Sequence, residues 1–173
     1  MDQTETGIRG VIKALTDTIA PAVDRTDPLA QEQLRLCVDY LEFLCSRLDH
    51  LHARARFELA DAASLARAAS QAVKIDDPVL WRDLTCTVSR ADRILADPGA
   101  GTTMVKDCTM DLCAVVRDLV RALAGDTAAA HEIGELVIEH SRAQVEFERS
   151  WYGPMGFDPA PATATPFEAF LQR

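Results

Sequence analysis

The sequence predicts an all-α protein: a helical bundle of about five helices, with one long central helix over about residues 28–73 and an extended C-terminal arm. Three observations predict it. The stretch from Leu29 to Asp77 contains no glycine and no proline. Within it apolar residues recur in a strict alternation of three and four, the period of one helix face. The other segments between the Pro and Gly breakers carry the same helical stripe.

The first helix is expected over residues 4–20. Ile8, Val11, Ile12, Leu15 and Ile19 form its stripe, Thr4 or Thr6 can cap it, and Pro21 ends or kinks it. Asp27 then stands as N-cap with Pro28 at the first helical position of the long stretch. One row runs Leu34, Cys37, Leu41, Leu44, Leu48 and Leu51, and continues through Ala55, Glu58, Ala62, Leu65, Ala69 and Ala72. A second row lies beside it: Val38, Cys45, His52, Leu59, Ala66 and Val73. Two adjacent rows make a wide face suited to a bundle interior. The second half is dominated by Ala, which lets a partner helix come closer. About 45 helical residues would span nearly 70 Å at about 1.5 Å each. The stretch is therefore expected to break between Arg54 and Asp61, or to pack its overhang on a second subunit.

Asp77 and Pro78 repeat the Asp-Pro start, and Leu80, Leu84, Val88, Ala91 and Leu95 line the next helix, with Trp81 expected at a core edge. After the loop from Asp97 to Gly101, Thr102 or Thr103 is expected to cap a helix whose row is Val105, Cys108, Leu112, Val115, Val116, Leu119 and Leu123. Gly125 is read as its C-cap and Asp126 as the start of the next helix, a link short enough for an antiparallel hairpin. That helix carries Ile133, Leu136, His140, Ala143 and Phe147. The domain organisation is read as one bundle over 1–150 and an arm over 151–173. In the arm Trp151 to Phe157 is an aromatic, Gly and Pro segment, and Phe167, Phe170 and Leu171 form an apolar hook. The hook is expected to dock on its own bundle or on a partner subunit.

Size and charge narrow the function. At 173 residues the chain can bury a real core. A net charge of −9 argues against nucleic-acid binding and against anionic membrane surfaces. No apolar run reaches the length of a membrane span. The N-terminus is acidic and polar rather than a signal peptide, and a soluble cytoplasmic protein is expected. Arg outnumbers Lys by fifteen to three and Asn is absent, the bias of GC-rich coding sequence. The five cysteines form no CxxC pair and read as reduced core residues. One basic neighbourhood, Arg47, His50, His52, Arg54 and Arg56, reads as a solvated helix face, with a small anion site as the alternative.

Chemistry has few places to hide. His52, Glu58 and His140 are polar residues on apolar rows, and with Cys45 or Cys108 they are the candidate ligand set of a site inside the bundle. No Glu-x-x-His pair and no short ligand spacing accompany them, so the competing reading is that each is hydrogen-bonded within the bundle. The Gly-containing loop before Lys106 lacks the phosphate-loop spacing and reads as a linker. Cys45 and His52 stand about 10 Å apart along one helix, which excludes a direct pair, whereas a cysteine of the fourth helix facing His52 or His140 stays open. Trp151 to Phe157 reads as a cap on the core rather than a ligand grip. The leading expectation is a non-enzymatic interaction or accessory protein acting as a homodimer, with no cofactor. The alternative is a small-molecule or metal-binding bundle, with the metal unknown.

Overall fold

The computed structural model describes residues 3–125, 127–156, 158–160 and 163–172. Among them every regular element is helical. The chain makes two compact units: Met1–Leu51 with Tyr152–Pro161, and His52–Trp151 with Ala162–Arg173. The boundary between residues 51 and 52 lies inside the expected spine. The units therefore divide the chain differently from a 1–150 bundle and a 151–173 arm.

In the first unit α1 spans Gln3–Ala14. It runs on through a π-helical turn, Leu15–Ile19, into a 3-10 turn, Ala20–Ala22, that contains Pro21. Proline thus ends the helix by loosening and then tightening its last turns. The next helix, α2, covers Pro28–Arg47. Asp27 caps it as expected, its Oδ1 accepting from the backbone N–H groups of Leu29 and Ala30, each at 3.0 Å. The only buried side chains of α2 are Phe43 and Arg47. The guanidinium of Arg47 lies 5.6 Å from the Phe43 ring centre, and Tyr152 stacks on the same ring at 5.4 Å.

The long stretch does break, but at Leu48–His50, where a 3-10 turn separates α2 from α3 (Leu51–Ala72). This is a turn or more before the expected Arg54–Asp61 window. The expectation rested on the length of the stretch, which calls for a break without fixing the residue at which it falls.

The second unit contains α3, α4 (Pro78–Ala96), α5 (Thr102–Ala122), α6 (Thr127–Trp151) and α7 (Glu168–Leu171). Its core is contributed by Leu59, Ala63, Ala66 and Ala69 of α3, Leu84, Ala91 and Ile94 of α4, Cys108, Leu112 and Leu119 of α5, and Ile133 of α6. Asp77 repeats the Asp27 cap, accepting from the N–H groups of Val79 at 2.8 Å and Leu80 at 3.2 Å. Neither Thr102 nor Thr103 caps α5. Gly101 holds that position, and the Thr102 hydroxyl is engaged by His52 instead. Gly125 is not left-handed, because α5 ends at Ala122 and closes through Leu123. Asp126, the expected opener of α6, lies outside the described residues, as does Phe157.

The backbones of α4 and α5 pack closely as a hairpin. By contrast α5 and α6, despite their short link, leave a cavity between them that α3 also lines. The C-terminal hook docks within its own unit. Phe170 packs edge-on against Phe57 and Phe147, while Phe167 meets Trp151 the same way. Trp81, expected at a core edge, is 44 % exposed.

The cysteines depart from expectation. All five are free thiols; Cys108 is buried, Cys45 is half-buried, and Cys37, Cys86 and Cys113 are exposed. The reason is geometric: Cys37 belongs to a unit with little interior, and the other two lie on the flanks of their helices.

Candidate functional site

The cavity between α3, α5 and α6 brings polar, titratable side chains onto an apolar floor. Its volume is about 510 Å³, within the range of small-molecule sites. Three helices supply it, each through residues spaced three or four apart. Ala62 and Leu65 come from α3, Leu112, Val116 and Val120 from α5, and Val137 from α6. These form the apolar lining. Glu58 and Asp61 of α3, Cys113 and Arg117 of α5, and His140 and Gln144 of α6 form the polar part.

The α3 contribution is the first sequence row itself. Leu59, Ala66 and Val73 of the second expected row are buried, as are Ala55 and Ala69 of the first and Ala63 beside them. The buried face is thus centred nearer the second row, and Glu58, Ala62 and Leu65 of the first line the cavity. This accounts for Glu58 in an apolar row, since its carboxylate is at the cavity's edge.

Arg54 organises one side of the site. Its Nε donates to Glu58 Oε1 and its Nη2 to Glu148 Oε1, both at 2.7 Å. The guanidinium lies 4.8 Å from the Trp151 ring centre, a cation–π contact on a ring that is itself buried. Gln144 Nε2 donates to Glu148 Oε1 at 3.0 Å. Burial pushes the Glu148 carboxyl above the ordinary carboxylate range, against the pull of Arg54.

Asp61 is held differently. The His140 imidazole faces it, with Nδ1 at 3.6 Å from Oδ1, too long for a good hydrogen bond. Burial raises the Asp61 carboxyl above its usual range, and His140 offsets this only in part. The Cys113 thiol is raised too, first by burial and then by Asp61, with Arg117 opposing. A raised thiol is a poor nucleophile, because the thiolate is the reactive form. Ser141 donates its hydroxyl to Val137 O at 2.6 Å, a bond within the helix.

Of the five sequence candidates, the structure brings Glu58 and His140 to the cavity. His52 is elsewhere: its Nδ1 lies 2.9 Å from Thr102 Oγ1 at the start of α5. His52 and Asp61, the partner of His140, are nine residues apart on α3, about 13 Å along its axis. His52 and His140 are thus held by partners too distant to serve one metal ion at bonds of about 2 Å. Cys108 is buried in the core beside Arg90, and burial raises its thiol. Cys45 belongs to the first unit. Among the described residues no three His, Cys, Asp or Glu side chains gather as metal ligands.

Asp61 and Arg117 were not candidates in the sequence, and Cys113 entered only through the open reading of a fourth-helix cysteine facing His52 or His140, of which it shares the cavity with His140. The signal for Asp61 was its spacing, three after Glu58 and four before Leu65, on one helix face.

The basic neighbourhood has structural partners rather than a bound-anion geometry. Arg56 donates to the carbonyls of Ile94, Leu95 and Asp97 and so closes the C-terminus of α4. Arg54 and His52 are engaged as above, and Arg47 packs on Phe43. The loop before Lys106 is a linker: Asp97 Oδ1 accepts from Gly99 N at 2.8 Å.

No helix of the described residues is long and apolar enough to cross a membrane. No protein-family model, curated protein or solved structure matches this chain.

Proposed function

We propose that this protein is a small-molecule-binding helical bundle whose site is the cavity between α3, α5 and α6. The observation that carries the reading is the cavity itself: an apolar floor large enough for an organic ligand, with titratable groups converging at its edge. The raised carboxyls of Asp61 and Glu148 support it. A charge kept in a partly dry setting costs stability, and such costs concentrate at functional sites.

The test is a methyl-resolved NMR titration of the full chain with 1-octanol, a neutral probe of the floor. Saturable shifts confined to Leu65, Leu112, Val116 and Val137 are expected, and Ala62→Phe, which fills the cavity from α3, abolishes them. Unchanged methyl signals in the wild-type protein, or shifts that survive Ala62→Phe, overturn the reading.

A second observation favours a homodimeric interaction protein, which is compatible with the first reading. The first unit has little interior of its own. Among its described residues Phe43 is the one buried apolar side chain, whereas Val11, Leu29 and Tyr40 are at least half exposed, at 50 %, 68 % and 50 %. Helices that leave apolar faces in water are those that pair with another surface.

A further inference from the structure

We propose that the α3–α5–α6 cavity takes a hydrophobic organic cation, with an alkyl or alicyclic body among Leu65, Leu112 and Val116 and a protonated amine at the mouth on Asp61. The inference rests on the reading of this cavity as a ligand site and names the class of ligand.

The charge inventory at the cavity selects that class. Two carboxylates, Glu58 and Asp61, and one guanidinium, Arg117, line the cavity, and the Arg54–Glu148 pair adjoins it through Glu58. Arg54 is shared between Glu58 and Glu148. Arg117 already lies 3.8 Å from Asp118 and keeps more than half of its side chain in water. Asp61 has the His140 imidazole at 3.6 Å and, among the described residues, no guanidinium contact. A ligand ammonium would supply the missing countercharge, and in a partly desolvated mouth such a charge-assisted bond is stronger than in water.

The opposite class fits poorly. A ligand carboxylate would enter beside Asp61 and Glu58, and like charges in a partly dry site repel. The cost of keeping Asp61 ionised is relieved when a cation binds, so part of the specificity is present before the ligand arrives.

The dependence on pH follows from the groups around Asp61: Glu58 on its own helix, Cys113 and Arg117 on α5, and His140 on α6. Protonation of Asp61 removes the countercharge, so amine binding weakens as the pH falls through its raised range.

The test compares octylamine, 1-octanol and octanoate at pH 7.5 by calorimetry on the full chain, with methyl NMR locating each probe. Octylamine is expected to bind about tenfold more tightly than 1-octanol, with octanoate the weakest of the three. Asp61→Asn is expected to remove the preference for the amine and leave 1-octanol binding unchanged. Equal binding of amine and alcohol, or tighter binding of octanoate, overturns the cation assignment while the cavity stands as a site. Loss of amine and alcohol binding together in Asp61→Asn also overturns it. Failure of all three probes to shift the cavity methyls overturns the underlying reading of the cavity.

Discussion

Asp61 and Arg54 sit less than three turns apart on α3 and are treated in opposite ways by their surroundings. Arg54 has two carboxylates at 2.7 Å and an indole face, so its charge is matched in full. Asp61 is moved out of water without a comparable partner, and its carboxyl titrates above its usual range. The folded state therefore holds the Asp61 proton more tightly than the unfolded chain does. The stability this contributes is fully present below the ordinary carboxylate range, near pH 4, and is lost as the pH rises through the raised folded value. Glu148 moves in the same direction for the same cause. Replacing Asp61 with Asn removes the charge and keeps the shape. Urea unfolding at pH 7.5 is expected to find Asp61→Asn more stable than wild type, and the gain should vanish at about pH 3.5. A variant less stable at pH 7.5 would mean that the His140 contact outweighs the cost of burial.

At the scale of elements, the sequence was most legible where local chemistry and burial agree. Asp27 and Asp77 cap α2 and α4 through the bonds that their Asp-Pro pairs announce. The α5 row is buried almost as read, from Val105 through Leu119. On α3 and just past its end the second row is buried at Leu59, Ala66 and Val73 as read, while Glu58, Ala62 and Leu65 of the first line the cavity; the Ala-rich face is apolar on both sides, so its pattern alone does not separate a core from a cavity. Glu58 and His140 were visible as polar residues in apolar rows. Asp61 and Arg117 were not, because charged residues beside an apolar stripe look like an ordinary solvated face. The break at Leu48–His50 was likewise unmarked, since no glycine or proline stands there. The hook was legible from its aromatics alone. Phe170 is buried against Phe57 and Phe147, so Phe170→Ala is expected to destabilise the fold by about 3–5 kcal/mol, measured by chemical denaturation. A loss below about 1 kcal/mol would show that the hook does not hold to its unit in solution.

For the whole molecule, the two units differ in how completely they bury themselves. The second has a continuous core from α3 to α6, closed by an aromatic cluster at its C-terminal end. The first has, among its described residues, one buried aromatic ring and a stripe of exposed apolar side chains on its helices. Its composition resembles half of an interface more than an independent core. Sedimentation at micromolar concentration is expected to give a dimer, and Leu29→Glu combined with Leu36→Glu is expected to give a folded monomer. A wild-type monomer at that concentration would set the dimer aside without touching the cavity, which belongs to the other unit.

A crystal structure of the protein grown with octylamine is the most direct measurement of the central claim, because it shows the cavity and its occupant together. The account predicts an alkyl chain among Leu65, Leu112 and Val116, with its nitrogen about 3 Å from the Asp61 carboxylate. A cavity closed by contact between α5 and α6, or left open with no amine in it, would contradict the account.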